Sequence, residues 1–189
     1  MSAAESAPDS QLLPVPFKAA SPQPSASVQQ QFLRLQMVSD MTALLPVPQL
    51  TEVLTMPTSQ VVPIPHMPPW VMGVYNWRGE ILWMVDLGHL CGLSPWYEQP
   101  LRRSTHKAVV LRESDDMIAA NTNKVKMLGL VVNEVEDIEI CDPKSIQAPL
   151  SSAVTPELAP LLRGYWWKSN GDMLVFLDGS AIFEAMPKA

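Results

Sequence analysis

The stretch Pro68-Pro69-Trp70-Val71-Met72-Gly73-Val74-Tyr75-Asn76-Trp77-Arg78-Gly79-Glu80-Ile81-Leu82-Trp83-Met84-Val85-Asp86-Leu87 decides how this chain is read. Two runs rich in Val, Ile, Tyr and Trp, residue types that suit a pleated and half-buried surface, flank the dipeptide Arg78-Gly79. Glycine supplies the positive backbone angle of a tight connection, so the stretch predicts a β-hairpin that displays one arginine.

The hairpin has a second copy. Gly73 to Asp86 resembles Gly164 to Asp178, with one residue added before the second glycine and the same interval from Gly79 to Asp86 as from Gly171 to Asp178. Upstream, Leu45-Pro46-Val47-Pro48-Gln49-Leu50-Thr51-Glu52-Val53 lines up with Leu130 to Ile138, with matched apolar positions and an acid, Glu52 or Asp137, in one slot. Two related subdomains follow, about 40–93 and about 105–178 with a closing helix. Each alone is too small to bury enough surface, and each gains a core by packing on the other. Chance similarity of two apolar hairpins is the competing explanation.

Around these copies the chain reads as short strands: Phe32 to Val38, Met41 to Leu45, Met72 to Trp77, Ile81 to Val85, Ala108 to Arg112, Met127 to Val132, Val135 to Ile140, Gly164 to Lys168 and Met173 to Leu177. Nineteen prolines against eight glycines leave room only for brief helices. The candidates are Pro48 to Leu54, Leu87 to Leu93, Pro156 to Leu162 and Gly179 to Ala185. The expected class is therefore all-β with short helices, as a barrel or a sandwich. Residues 1–28 are rich in Ser, Ala, Pro and Gln and read as a disordered tail, with the domain spanning 29–186. Within the tail, Leu12-Leu13-Pro14-Val15-Pro16 repeats Leu44 to Pro48 letter for letter, by coincidence or as a mimic of the body segment.

Composition removes several classes of function. A net charge of -6 offers no basic face for nucleic acid. Cys91 and Cys141 are too few and too far apart for a disulfide framework or a thiolate metal site, and read as buried thiols of a reducing compartment. No signal-like or membrane-spanning apolar run occurs, so a cytoplasmic protein without membrane insertion is expected.

Catalytic chemistry is equally sparse. His66, His89 and His106 lack zinc-like spacing, and no nucleophile elbow, P-loop or dinucleotide fingerprint is present. Asp86 and Asp178 each end a strand before a helix, where capping of backbone donors competes with an acid/base role and is the simpler reading. No enzyme, metal or cofactor is expected. Met41, Met56, Met67, Met72, Met84 and Met127 read as core rather than as an adaptable surface. The acidic run Glu134, Glu136, Asp137, Glu139 and Asp142 reads as a solvated sheet face, with a partner-binding patch as the other possibility.

Arg78 stands beside Tyr75 and Trp77, and a planar guanidinium next to aromatic area is the composition of interface hot spots. The motif Pro65-x-x-Pro68-Pro69-Trp70-Val71-Met72-Gly73-Val74-Tyr75-Asn76-Trp77-Arg78-Gly79, then Val85-Asp86-Leu87 and Leu128 to Val135, resembles the CheW-like domain over about Gln31 to Phe183. The resemblance implies two intertwined SH3-like five-stranded barrels. It also implies a non-catalytic chemotaxis adaptor that couples chemoreceptors to a CheA-type histidine kinase in a two-component signal-transduction array. The alternative is a divergent stand-alone interaction module, for example in type IV pilus, twitching or phototaxis signalling, with the tail as a regulatory element.

Carried over by motif position, Arg78, Gly73, Asn76, Leu50 and Glu52 would form a receptor-binding groove. Gly129, Val132 and Val135 would contact the regulatory domain of the kinase. The chain departs from the family at Trp77, where an aliphatic residue is usual, at Asn133, where aspartate is common, and in its proline-rich tail. Lys168-Ser169-Asn170-Gly171, the counterpart of the first turn, carries no arginine.

Overall fold

The computed structural model describes residues 29–38, 41–99, 104–113, 125–149 and 154–187; the tail and its Leu12–Pro16 island lie outside them. The first half of the chain supplies β1 (Gln30–Gln36), β2 (Thr42–Pro46), β3 (Leu50–Pro57), β4 (Val71–Trp77), β5 (Glu80–Asp86) and α1 (Leu87–Leu90). The second half supplies β6 (Thr105–Arg112), β7 (Met127–Val132), β8 (Glu134–Cys141), β9 (Leu162–Trp167), β10 (Met173–Leu177) and α2 (Gly179–Ala185). The strands form two five-stranded sheets, ordered β3-β6-β7-β5-β4 and β8-β1-β2-β10-β9.

In each sheet the chain just beyond one edge strand bridges to the other edge strand. Val62 and Val74 exchange backbone hydrogen bonds of 2.8 and 2.9 Å, and Gln147 and Tyr165 exchange bonds of 2.8 and 2.9 Å. Both sheets thereby close into small barrels, which removes most of the unpaired edge. The fold is all-β with short helices, as expected.

The expected split into 40–93 and 105–178 matches the repeat in sequence but not the barrels. β6 and β7 belong with β3–β5, while β1 and β2 belong with β8–β10, so the halves exchange their first two strands. The parallel pairs β5–β7 and β10–β2 join the halves. Trp83 pairs with Leu128, and Val175 pairs with Ala43, which are the positions the repeat makes equivalent.

The expected strands are all present, and the segment Pro48 to Leu54, expected as a helix, is mostly strand. Only Val47–Gln49 forms a turn of 3-10 helix, and β3 begins at Leu50. Along β3, Leu50, Glu52, Leu54 and Met56 are more buried than Thr51, Val53, Thr55 and Pro57. That period of two is a strand's, so Val53 faces away from Leu50 and Leu54. Pro156 to Leu162 likewise contains only a 3-10 turn, Ala159–Leu161, because Leu162 already starts β9.

Both faces of the central strands are covered, which is why they read as continuous apolar runs. On β10, Leu174 and Phe176 fill one barrel, with the Phe32 and Phe176 rings edge to face at 4.7 Å, while Val175 and Leu177 face the other barrel. Met56, Trp77, Leu82, Met84 and Val110 fill the barrel of β3–β7. Asp86 caps α1 by accepting from the His89 N–H at 3.1 Å, and its other oxygen accepts from the Trp96 N–H at 2.9 Å. Asp178 caps α2 through the N–H groups of Ser180 and Ala181.

Candidate functional site: the arginine turn

Trp77 pairs with Glu80, leaving Arg78 and Gly79 as a two-residue connection. Their φ angles of 53° and 85° are both positive, the signature of a type I′ turn whose twist matches the flanking strands. Asn76 stabilises it by accepting from the Gly79 N–H at 3.0 Å. Gly79 takes this angle freely, whereas Arg78 holds a backbone conformation that L-residues seldom adopt.

A carboxylate on β3 secures the arginine. Glu52 Oε2 pairs with the Arg78 guanidinium, and Glu52 Oε1 accepts from Trp77 Nε1 at 2.9 Å. Trp77 is only 8% exposed inside the barrel, while the Arg78 side chain is 69% exposed and its Cζ lies 5.1 Å from the Trp77 ring centroid. Glu52 therefore links a buried donor to a displayed cation. Beside this tip Ile81, which pairs with Asn76, is 75% exposed.

Of the expected receptor-groove residues, Arg78, Asn76 and Glu52 come together here. Leu50 packs instead against the core between the barrels. Gly73 is buried at the barrel closure, where a Cβ would lie 2.2 Å from the Val62 carbonyl oxygen. On the second expected surface, a Cβ on Gly129 would meet Met84 at 2.5 Å, Val132 is buried, and Val135 packs half-buried between the barrels. The exposure of Ile81 escaped the sequence reading, although strand alternation places it on the face opposite Leu82.

A model of the CheW-like domain matches residues 34–186. The chain belongs to the CheW-like domain family. No curated protein matches it. Among solved structures, the crystal structure of the scaffolding protein TtCheW from Thermoanaerobacter tengcongensis is similar. It superposes with a TM-score of 0.61 at 17% identity, over 79% of this chain and 88% of that one. CheW-like domains are non-catalytic scaffold and adaptor modules of chemotaxis. No described helix is long and apolar enough to cross a membrane.

The second hairpin of this CheW-like domain is fastened differently. Lys168 and Arg34 both reach Glu139, at 2.7 and 3.0 Å, and Arg34 also pairs with Glu136 at 2.9 Å. Burial alone would raise the Glu139 carboxyl, but the hydrogen bonds and charges of Lys168 and Arg34 outweigh it and hold the group below its ordinary range. Lys107 similarly pairs with Glu134, so much of the acidic strand β8 is cross-linked to cations rather than merely solvated. Among the described residues no group of three or more His, Cys, Asp or Glu side chains is placed to hold a metal ion.

Proposed function

We propose that this CheW-like domain is a cytoplasmic, non-catalytic adaptor that couples chemoreceptors to a CheA-type histidine kinase within a chemosensory array. The observation that supports it is the Arg78 guanidinium, displayed on a type I′ turn and paired with Glu52 beside the Trp77 ring. An exposed arginine beside an aromatic ring and already paired with a carboxylate is suited to recognition of a partner's acidic or planar groups. Gly129 and Val132 on β7 and Val135 on β8, which belong to different barrels, are proposed to act on the kinase side by shaping the packing between the barrels rather than as direct contacts.

The test is a pull-down of the full chain with a receptor signalling fragment and, separately, with the kinase regulatory domain. Arg78→Ala is expected to weaken receptor association by about 2 kcal/mol, roughly thirtyfold, with an unchanged melting temperature. Folded wild-type protein that binds neither partner would reject the proposal.

A further inference from the structure

The two halves meet again on the face that carries α1 and α2, where an open groove of about 550 Å³ runs between them. Its walls are repeat-equivalent residues: Trp70 answers Leu161, and Leu93 answers Ala185. The backbone shows the equivalence, because the Asp86 N–H donates to the Trp70 carbonyl and the Asp178 N–H donates to the Leu161 carbonyl, both at 2.9 Å. In each pair the second half carries the smaller side chain. The volume it lacks is not refilled, as a close-packed interior would require, and it opens to the surface as the groove.

Leu90 and Leu161 are buried at the floor, and Trp70, Leu93 and Ala185 stand half-buried along the sides. One carboxylate lies at this groove, which His89 also lines. Glu157 is exposed at the rim, lies over Gly92 and, among the described residues, has no ion-pair or hydrogen-bond partner. Gly92 makes room for it, since a Cβ there would meet the Glu157 carboxylate at 3.1 Å.

We propose that this groove docks a partner polypeptide through an apolar side chain laid on Leu90 and Leu161 and a neighbouring lysine or arginine paired with Glu157. The volume suits one or two large side chains, being within the range of about 300–1,000 Å³ typical of binding clefts. Charge complementarity selects the basic residue, because the rim carboxylate of Glu157 is unpaired and would steer and orient a cation beside the buried leucines. The groove shares no residue with the arginine turn, so loss of docking here is distinguishable from loss of receptor binding there.

The experiment titrates the full ¹⁵N-labelled chain with two amphipathic helical peptides of about 15 residues, one built of leucine and lysine and one of leucine and glutamate. The lysine peptide should shift the Trp70 indole and the Gly92 and Ala185 amides saturably, and the glutamate peptide should not. Glu157→Lys should weaken the lysine peptide about tenfold without moving the melting temperature. Ala185→Leu, which restores the leucine of the equivalent slot, should block binding by filling the trough. Shifts confined to β8 or the hairpin tips, equal affinity for both peptides, or an unchanged affinity of Glu157→Lys would each overturn the proposal. Because Glu157 is an exposed surface residue, that variant keeps the test decisive should Ala185→Leu fail to fold.

Discussion

Gly73 and Gly164 occupy the same place in the two barrels: a Cβ on the first would lie 2.2 Å from the Val62 carbonyl oxygen, and on the second 2.5 Å from that of Gln147. Both are the points at which a barrel closes on itself. Alanine at either position must push the closing segment away, and at Gly73 it must also adopt a φ near 140°. Each substitution is expected to cost about 2–4 kcal/mol in urea denaturation, the range of overpacking combined with backbone strain. Gly171→Ala, with open space but a φ of 92°, should cost only about 1 kcal/mol. A Gly73 variant that fails to bind a partner will then have lost its fold along with its binding.

Glu52 has two dependants of different worth. Its pair with the exposed Arg78 is open to solvent and salt, so Arg78→Ala should change stability by about 0.5 kcal/mol or less. Its bond to the buried Trp77 indole is another matter, because Glu52→Ala strands a donor inside the barrel and should cost about 1–3 kcal/mol. Trp77→Phe in the Glu52→Ala background should recover part of that loss. A thermal-denaturation cycle over Glu52, Trp77 and Arg78 separates the terms, and a larger penalty for Arg78→Ala than for Glu52→Ala would contradict this division.

Strand positions were legible because each strand is a short run of β-branched, aromatic and leucine residues bounded by turn residues. The alternation along Gly73, Tyr75 and Trp77 also held the information that Trp77 points inward, although its contact with Glu52, 25 positions earlier, has no local signature. β3 was masked by Pro48, a residue that favours helix starts and equally well ends a strand before a 3-10 turn. Its alignment with Val135 to Ile138, read correctly as a strand, carried the better signal. The exchange of strands between the halves was not legible from apolar pattern, because β2 and β7 are equivalent in sequence and either suits either barrel. Connection length decides it: only Asn133 separates β7 from β8, and only Val47–Gln49 separates β2 from β3. Such short links carry the chain into the neighbouring barrel instead of turning it back.

The Glu139 cluster makes a pH-dependent contribution of definite sign. Its folded-state carboxyl lies below the unfolded value of about 4.3, so the native state holds the charged form more strongly. The stabilisation is present above that unfolded value and disappears as pH falls through the lowered folded value. Glu139→Gln should therefore reduce stability at pH 7 and flatten the acid limb of a melting-temperature profile below about pH 4.5. An acid limb unchanged by Glu139→Gln would mean that Lys168 and Arg34 do not hold the carboxylate in solution.

The two thiols should be silent until the fold opens. Cys91 ends α1 in the core between the barrels, and its thiol is pushed up to about 12 by burial and by the Asp86 charge. Cys141 lies inside the barrel of β8–β10 and is pushed up to about 11 by burial, then by Asp142 and Glu139. Since the thiolate is the reactive form, a maleimide added at pH 8 should label neither residue in the native protein and both in urea. The same shifts act on stability at high pH. A free thiol ionises at about 8.5 in the unfolded chain, so below that pH the two states bind equal protons and nothing is lost. Above it the unfolded state gains by releasing protons that the native state retains, and stability should fall from about pH 8.5 towards the folded values. Replacing both residues by alanine should flatten that decline, whereas rapid native-state labelling of either thiol would contradict its burial.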